Sequence, residues 1–70
     1  SIALGLDPEN VDALVARGEL FLRHGEFEDA MEDLNKAIEI DPDNEHPSTL
    51  RARALAAATA SAFRAAMDNQ

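Results

Sequence analysis

Apolar side chains recur at three- and four-residue spacings in two blocks separated by a glycine. The first block holds Val11, Leu14, Val15, Gly18, Phe21 and Leu22. That spacing gathers residues on one face of a helix, since 3.6 residues complete a turn. Asn10 stands where an N-cap is expected, and Asp12 falls in the first turn, where the helix dipole favours an acid. His24-Gly25 predicts the end of this helix, because glycine takes the left-handed conformation that a helix C-terminus needs. The second block runs from about Phe27. Its apolar face is Phe27, Ala30, Met31, Leu34, Ala37 and Ile38, with Glu28, Asp29, Glu32, Asp33 and Lys36 assigned to the other side. Asp41-Pro42 closes it, because the residue before a proline is pushed out of the helical region.

Beyond residue 44 the pattern changes. No glycine interrupts the stretch from Pro47 or Ser48 to about Met67, and alanine dominates it. It is expected to form one helix roughly 30 Å long, with Pro47 tolerated in the first turn. One face, Leu50, Ala54, Ala57, Ala58 and Ser61, is expected to lie on the preceding helix pair. Another, Leu55, Thr59, Ala62, Phe63, Ala66 and Met67, is expected to run past it, leaving Phe63 and Met67 overhanging. Two readings of that overhang follow: an alanine-rich end cap facing water, or a self-association surface of Leu55, Phe63 and Met67 covered by another copy or by further chain.

A repeat underlies the first two blocks. Ala3-Leu4-Gly5-Leu6-Asp7-Pro8-Glu9-Asn10 and Ala37-Ile38-Glu39-Ile40-Asp41-Pro42-Asp43-Asn44 share alanine, aspartate, proline and asparagine at one fixed offset. The offset is about 34 residues, the period of helix–turn–helix arrays. Leu14, Gly18, Phe21, Ala30, Leu34, Ala37 and Pro42 fall where the tetratricopeptide repeat family places its large–small–large packing signature and terminal proline, and the chain resembles that family. Arg17 departs from it, standing where leucine is frequent. The resemblance implies an all-α fold: a helix-turn-helix hairpin followed by a long C-terminal helix, part of an α-solenoid. Residues 1–8 then read as the tail of a preceding unit, 9–42 as one complete unit, and 43–70 as a degenerate repeat acting as a capping helix. Gly18 and Ala30 are small because the two helices of a unit cross closely there.

The resemblance also implies a non-catalytic protein–protein interaction scaffold with a groove lined by the first helix of each unit. The groove set is Asp12, Val15, Ala16, Glu19 and Leu22 from the first helix and Thr49, Arg53 and Ala56 from the third, with Asp12, Val15, Glu19, Leu22, Thr49 and Arg53 as its principal members. Chaperone-binding members clamp a peptide's terminal carboxylate with lysine and asparagine; Val15 and Glu19 hold the matching places here and cannot do so. A partner segment with some basic residues suits this surface better.

Charge narrows the partner class. Fourteen acidic and six basic residues among 70 give a net charge of -8. Nucleic-acid affinity rests on neutralising phosphates, so a nucleic-acid partner is not expected. The charge is uneven: residues 1–45 hold 13 acids against Arg17, Arg23 and Lys36, whereas residues 46–70 hold Asp68 against Arg51, Arg53 and Arg64. The two ends are therefore expected to attract each other or neighbouring copies at low salt. No apolar run approaches the roughly 18 residues of a membrane span, and no signal peptide is visible. A cytoplasmic location and no membrane partner are expected, and the start at Ser1 suggests an excised piece of a longer protein.

No enzymatic chemistry is expected. Asp41, Asp43 and Glu45 alternate like the start of a calcium loop, but the sixth and twelfth places hold His46 and Ala52 instead of glycine and glutamate. His24 and His46 lack zinc-motif spacing, there is no cysteine, and there is no glycine-rich phosphate loop. No cofactor is expected. A core of this size rarely supplies more than about 3–5 kcal/mol, so stability from a partner, a homodimer contact or neighbouring chain is expected.

Overall fold

The computed structural model describes residues 8–68 and contains three helices: α1, Pro8–Arg23; α2, Phe27–Ile40; and α3, Pro47–Asp68. The repeat echo in residues 1–7 lies outside the described residues. Each helix runs back along the one before it, so α1 and α3 share a direction. The all-α hairpin with a long third helix is therefore the observed architecture. Among the described residues, no helix is long and apolar enough to cross a membrane.

The helix ends follow from local chemistry. α1 begins at Pro8, where a missing N–H and a fixed φ suit the first helical position. Asn10 is therefore inside the first turn and does not cap it, a correction to the sequence reading. At the other end, Gly25 has φ 76°. Glu26 N–H donates to Phe21 C=O at 2.9 Å and Gly25 N–H to Leu22 C=O at 3.1 Å. This paired closure satisfies carbonyls that the last turn leaves free. α2 ends at Ile40, and the turn that follows places Asn44 at φ 58°.

The core gathers Val11, Leu14 and Val15 from α1, Leu34 and Ala37 from α2, and Ala52 from α3, with Ile38, Ile40, Leu55 and Ala56 packed beside them. Ala30 is fully buried where α1 and α2 cross. A Cβ added to Gly18 would lie 2.8 Å from Leu34 Cδ2 and 2.9 Å from Leu34 Cγ. The small residues at 18 and 30 thus permit the close crossing that the resemblance implies.

Two expectations about side-chain placement are overturned. Asp33, assigned to the solvent face, is buried. Its carboxylate takes two bonds from Arg17, Nε to Oδ2 at 2.7 Å and Nη2 to Oδ1 at 2.9 Å. α3 also lies nearly half a turn from its expected rotation. Leu50, Ala54, Ala57, Ala58 and Ser61 are exposed, while Thr49, Ala52 and Thr59 are buried. Leu55 and Ala62, placed on the overhanging face, are partly buried. Phe63 does not simply overhang: its ring meets Phe27 edge-on, with centroids 6.2 Å apart.

Polar anchors explain that rotation. The Thr49 hydroxyl donates to Asp41 Oδ2 at 2.6 Å, and both residues are buried. Asp41 also accepts from the backbone N–H of Glu45 at 3.0 Å and of His46 at 2.8 Å. Ten residues on, the buried Thr59 hydroxyl donates to Leu55 C=O at 2.7 Å. A buried hydroxyl is tolerated only when it is bonded, so these two threonines point inward. His46 caps α3 itself, its Nδ1 accepting from Ser48 N–H at 3.1 Å.

Candidate functional site

The face expected to bind a partner lies along the seam of α1 and α3. Polar pairs bridge that seam. Arg51 Nη2 donates to Glu19 Oε2 at 2.6 Å. The Ser48 hydroxyl donates to Asp12 Oδ1, and His46 Nε2 lies 3.8 Å from Asp12 Oδ2. Asp12 and Ala16 remain exposed, Glu19 is partly so, and Leu22 and Ala56 are half-buried. The acidic N-terminal segment and the basic third helix thus meet at Glu19 and Arg51.

Three members of the expected groove set are placed elsewhere. Val15 is 4% exposed and belongs to the core. Thr49 is fully buried, its hydroxyl committed to Asp41. Neither presents a surface to a ligand. Arg53 is exposed but turned onto the loop between α2 and α3, where Nε donates to Asn44 Oδ1 at 2.6 Å and Nη2 to Pro42 C=O at 3.2 Å. The cation that does reach the seam is Arg51. Spacing on α3 could not have found it, because the rotation of that helix is set by the Thr49–Asp41 contact.

Asp12, His46 and Ser48 have the composition of a hydrolytic triad without its wiring. In a triad the hydroxyl donates to the imidazole, which serves as base. Here the hydroxyl donates to the carboxylate, and His46 Nδ1 already accepts a backbone N–H. A neutral ring so engaged carries its proton on Nε2, the nitrogen nearest Asp12, and has no free lone pair for the serine. The trio acts as a polar clasp between α1 and the start of α3. Asp41 is a further carboxylate held by several donors. Its carboxyl lies below the usual range, first because of the Thr49 hydroxyl and then because of the two backbone N–H groups, against the opposing effect of burial. Among the described residues, no three histidine or acidic side chains gather as a metal site.

The tetratricopeptide repeat model matches residues 11–44. Similar stretches occur in outer envelope protein 61 of Arabidopsis thaliana, 49% identical over 45 residues, 64% of this chain and 8% of that protein. The UDP-N-acetylglucosamine--peptide N-acetylglucosaminyltransferase of Giardia intestinalis is 46% identical over 46 residues, 66% of this chain and 3% of that protein. FK506-binding protein 59 of Drosophila melanogaster is 49% identical over 41 residues, 59% of this chain and 9% of that protein. The chain therefore spans less than a tenth of the length of each of these relatives. No solved structure gives a significant match. With the close crossing at Gly18, the left-handed Gly25 and a family match over 11–44, the chain carries a unit of the tetratricopeptide repeat family.

Proposed function

We propose that this chain serves as a non-catalytic docking module for another protein or peptide, with no nucleic-acid or membrane partner, in a cytoplasmic protein longer than itself. Residues 1–8 are the tail of a preceding unit, 9–42 a complete unit, and 43–70 a capping helix derived from a following one. The observation that carries this reading is the seam between α1 and α3, where Asp12 and Ala16 are exposed and Glu19 is partly so. The named relatives are an envelope protein, a transferase and an FK506-binding protein. A segment common to proteins so differently named supports a shared structural unit rather than shared chemistry.

The partner segment that suits the seam is extended or helical, with basic residues opposite Asp12 and Glu19. A terminal carboxylate does not suit it, since Val15 is buried and Glu19 is itself acidic. Self-association through Leu55, Phe63 and Met67 has narrower support. Leu55 packs on its own core and Phe63 on Phe27, leaving Met67 as the most open of the three at 57% exposure.

The test uses the full-length protein with photo-crosslinking side chains placed singly at Asp12, Ala16 and, as a reference on α2, Lys36. Crosslinks to a discrete partner from 12 and 16 and not from 36 support the seam. Equal capture from all three positions removes the basis for it. Molar mass by light scattering across concentration tests self-association separately.

A further inference from the structure

A second surface lies on the far side of α3. Arg51 reaches α1, and Ala60 follows nine residues later, about two and a half turns, so Ala60 points away from α1. There an apolar groove opens between α2 and α3, lined by Phe27, Met31, Ala60 and Phe63 and enclosing about 340 Å³. Met67 extends it towards the start of α2, beside Gly25. Phe63 is 38% exposed and Met67 57%. The overhang of α3 past α2 is thus one wall of a groove.

The rim of this groove is acidic. Glu26, Glu28 and Asp29 border the Met67 end. Among the described residues, the ion pairs engage Asp33, Asp12 and Glu19, and none of the three rim carboxylates takes part in one. Glu28 and Asp29 suit the first turn of α2, but their side chains remain in water.

We propose that this groove docks an amphipathic helix of another protein, apolar on one face and flanked by lysine or arginine. The floor offers Phe27 and Met31 one turn apart on α2 and Ala60, Phe63 and Met67 along two turns of α3, the arrangement into which an apolar helix stripe packs. Two methionines give it the adaptable contact of a surface that accepts varied side chains. The acids then meet the flanking cations as the apolar stripe settles. A second copy of this chain is a poor occupant. A two-fold dimer through the groove would bring together two molecules of net charge -8 each, with no surplus of cations for the rim acids. This surface is separate from the α1–α3 seam and stands or falls without it.

The probe is a synthetic helix of about 18 residues, long enough to fold on contact, with leucine at three- and four-residue spacings and lysine elsewhere. It is titrated into ¹⁵N-labelled protein in about 0.1 M salt, where distant charges are screened. The expected shifts centre on residues 26–31 and 60–67. Met67→Asp, and separately Glu28→Lys with Asp29→Lys, should each weaken binding by about tenfold, the first by putting a charge on the apolar floor and the second by setting cations against the lysines of the probe. Asp43→Lys with Glu45→Lys changes net charge equally on the α2–α3 loop and should weaken it by less than about threefold. All these positions are exposed, and unchanged helical signal and melting confirm that the variants fold. Equal weakening by both charge-reversed pairs would reduce the effect to general attraction and overturn the proposal. Shifts centred on Asp12 and Glu19, or a doubled molar mass of the free protein lost in Met67→Asp, would also overturn it.

Discussion

The Thr49 hydroxyl donates to the Asp41 carboxylate at 2.6 Å, joining the residue that ends α2 to the first turns of α3. Asp41 simultaneously accepts two backbone N–H groups from the loop between them. One side chain therefore sets both the course of the loop and the rotation of the next helix, and through that rotation the residues that line each face.

This arrangement predicts a specific acid sensitivity. The folded-state carboxyl of Asp41 is held below its ordinary value, chiefly by Thr49. A group shifted down stabilises the fold above its unfolded pKa, near 4, and loses that contribution as pH falls through the lower folded value. Thermal melts followed by circular dichroism from pH 6 down to about pH 2 should therefore fall more steeply for the native chain than for Thr49→Val, which lacks the first-named donor. Near pH 6 the variant should melt lower; near pH 2 the two should converge. Parallel melting curves over the whole range would show that the hydroxyl does not hold this carboxylate.

Arg17 and Asp33 form a buried-to-surface link, with Arg17 62% exposed and Asp33 4% by side chain. The Arg17 guanidinium also lies 6.0 Å from the centre of the Phe21 ring. The two ends of the pair are unequal. Removing Asp33 releases a cation already largely in water, whereas removing Arg17 leaves a buried carboxylate without its cation. Arg17→Leu, although it restores a side chain frequent in the family at this place, should lower the melting midpoint by about 5–10 °C. Asp33→Ala should lower it less, and the double variant should melt above Arg17→Leu alone. Additive losses in the double variant would mean that the pair is not coupled.

The contrast between α2 and α3 explains what the sequence made legible. In α1 and α2, large apolar residues alternate with acids, so faces and ends could be read from spacing, and Gly18, Ala30 and Gly25 marked where backbones approach or turn. In α3, alanine, serine and threonine differ little in the free energy of burial, and periodicity loses its contrast. The deciding contact, Thr49 with Asp41, spans eight residues across a loop and carries no periodic signal. The same blindness moved Thr49 into the expected groove and put Arg53 there in place of Arg51, whereas Val15 entered the groove set through the family resemblance although its spacing on α1 already grouped it with the core. Asp33 escaped for a related reason: an acid beside the core Leu34 looks solvated until a cation on another helix is known to face it.

Gly18 and Gly25 give the last prediction, because the same residue is required at each for a different reason. At Gly25 nothing lies within 4 Å of an added Cβ, and the constraint is φ 76° alone. Gly25→Ala should cost about 1 kcal/mol, the strain of an alanine in that region, and Gly25→Asn less, because asparagine tolerates it. At Gly18 the constraint is space, with the fully buried Leu34 in the way of an added Cβ. Gly18→Ala gains helix propensity of about 1 kcal/mol but overpacks the crossing by about 1–3 kcal/mol, so it should still destabilise or break even. Gly18→Val should be clearly worse. Pairing Gly18→Ala with Leu34→Ala discriminates the causes. Because the smaller residue at 34 makes room for the new methyl, chemical denaturation of the single and double variants should show less than additive loss. Strict additivity would place the need for glycine at position 18 in something other than the approach of Leu34.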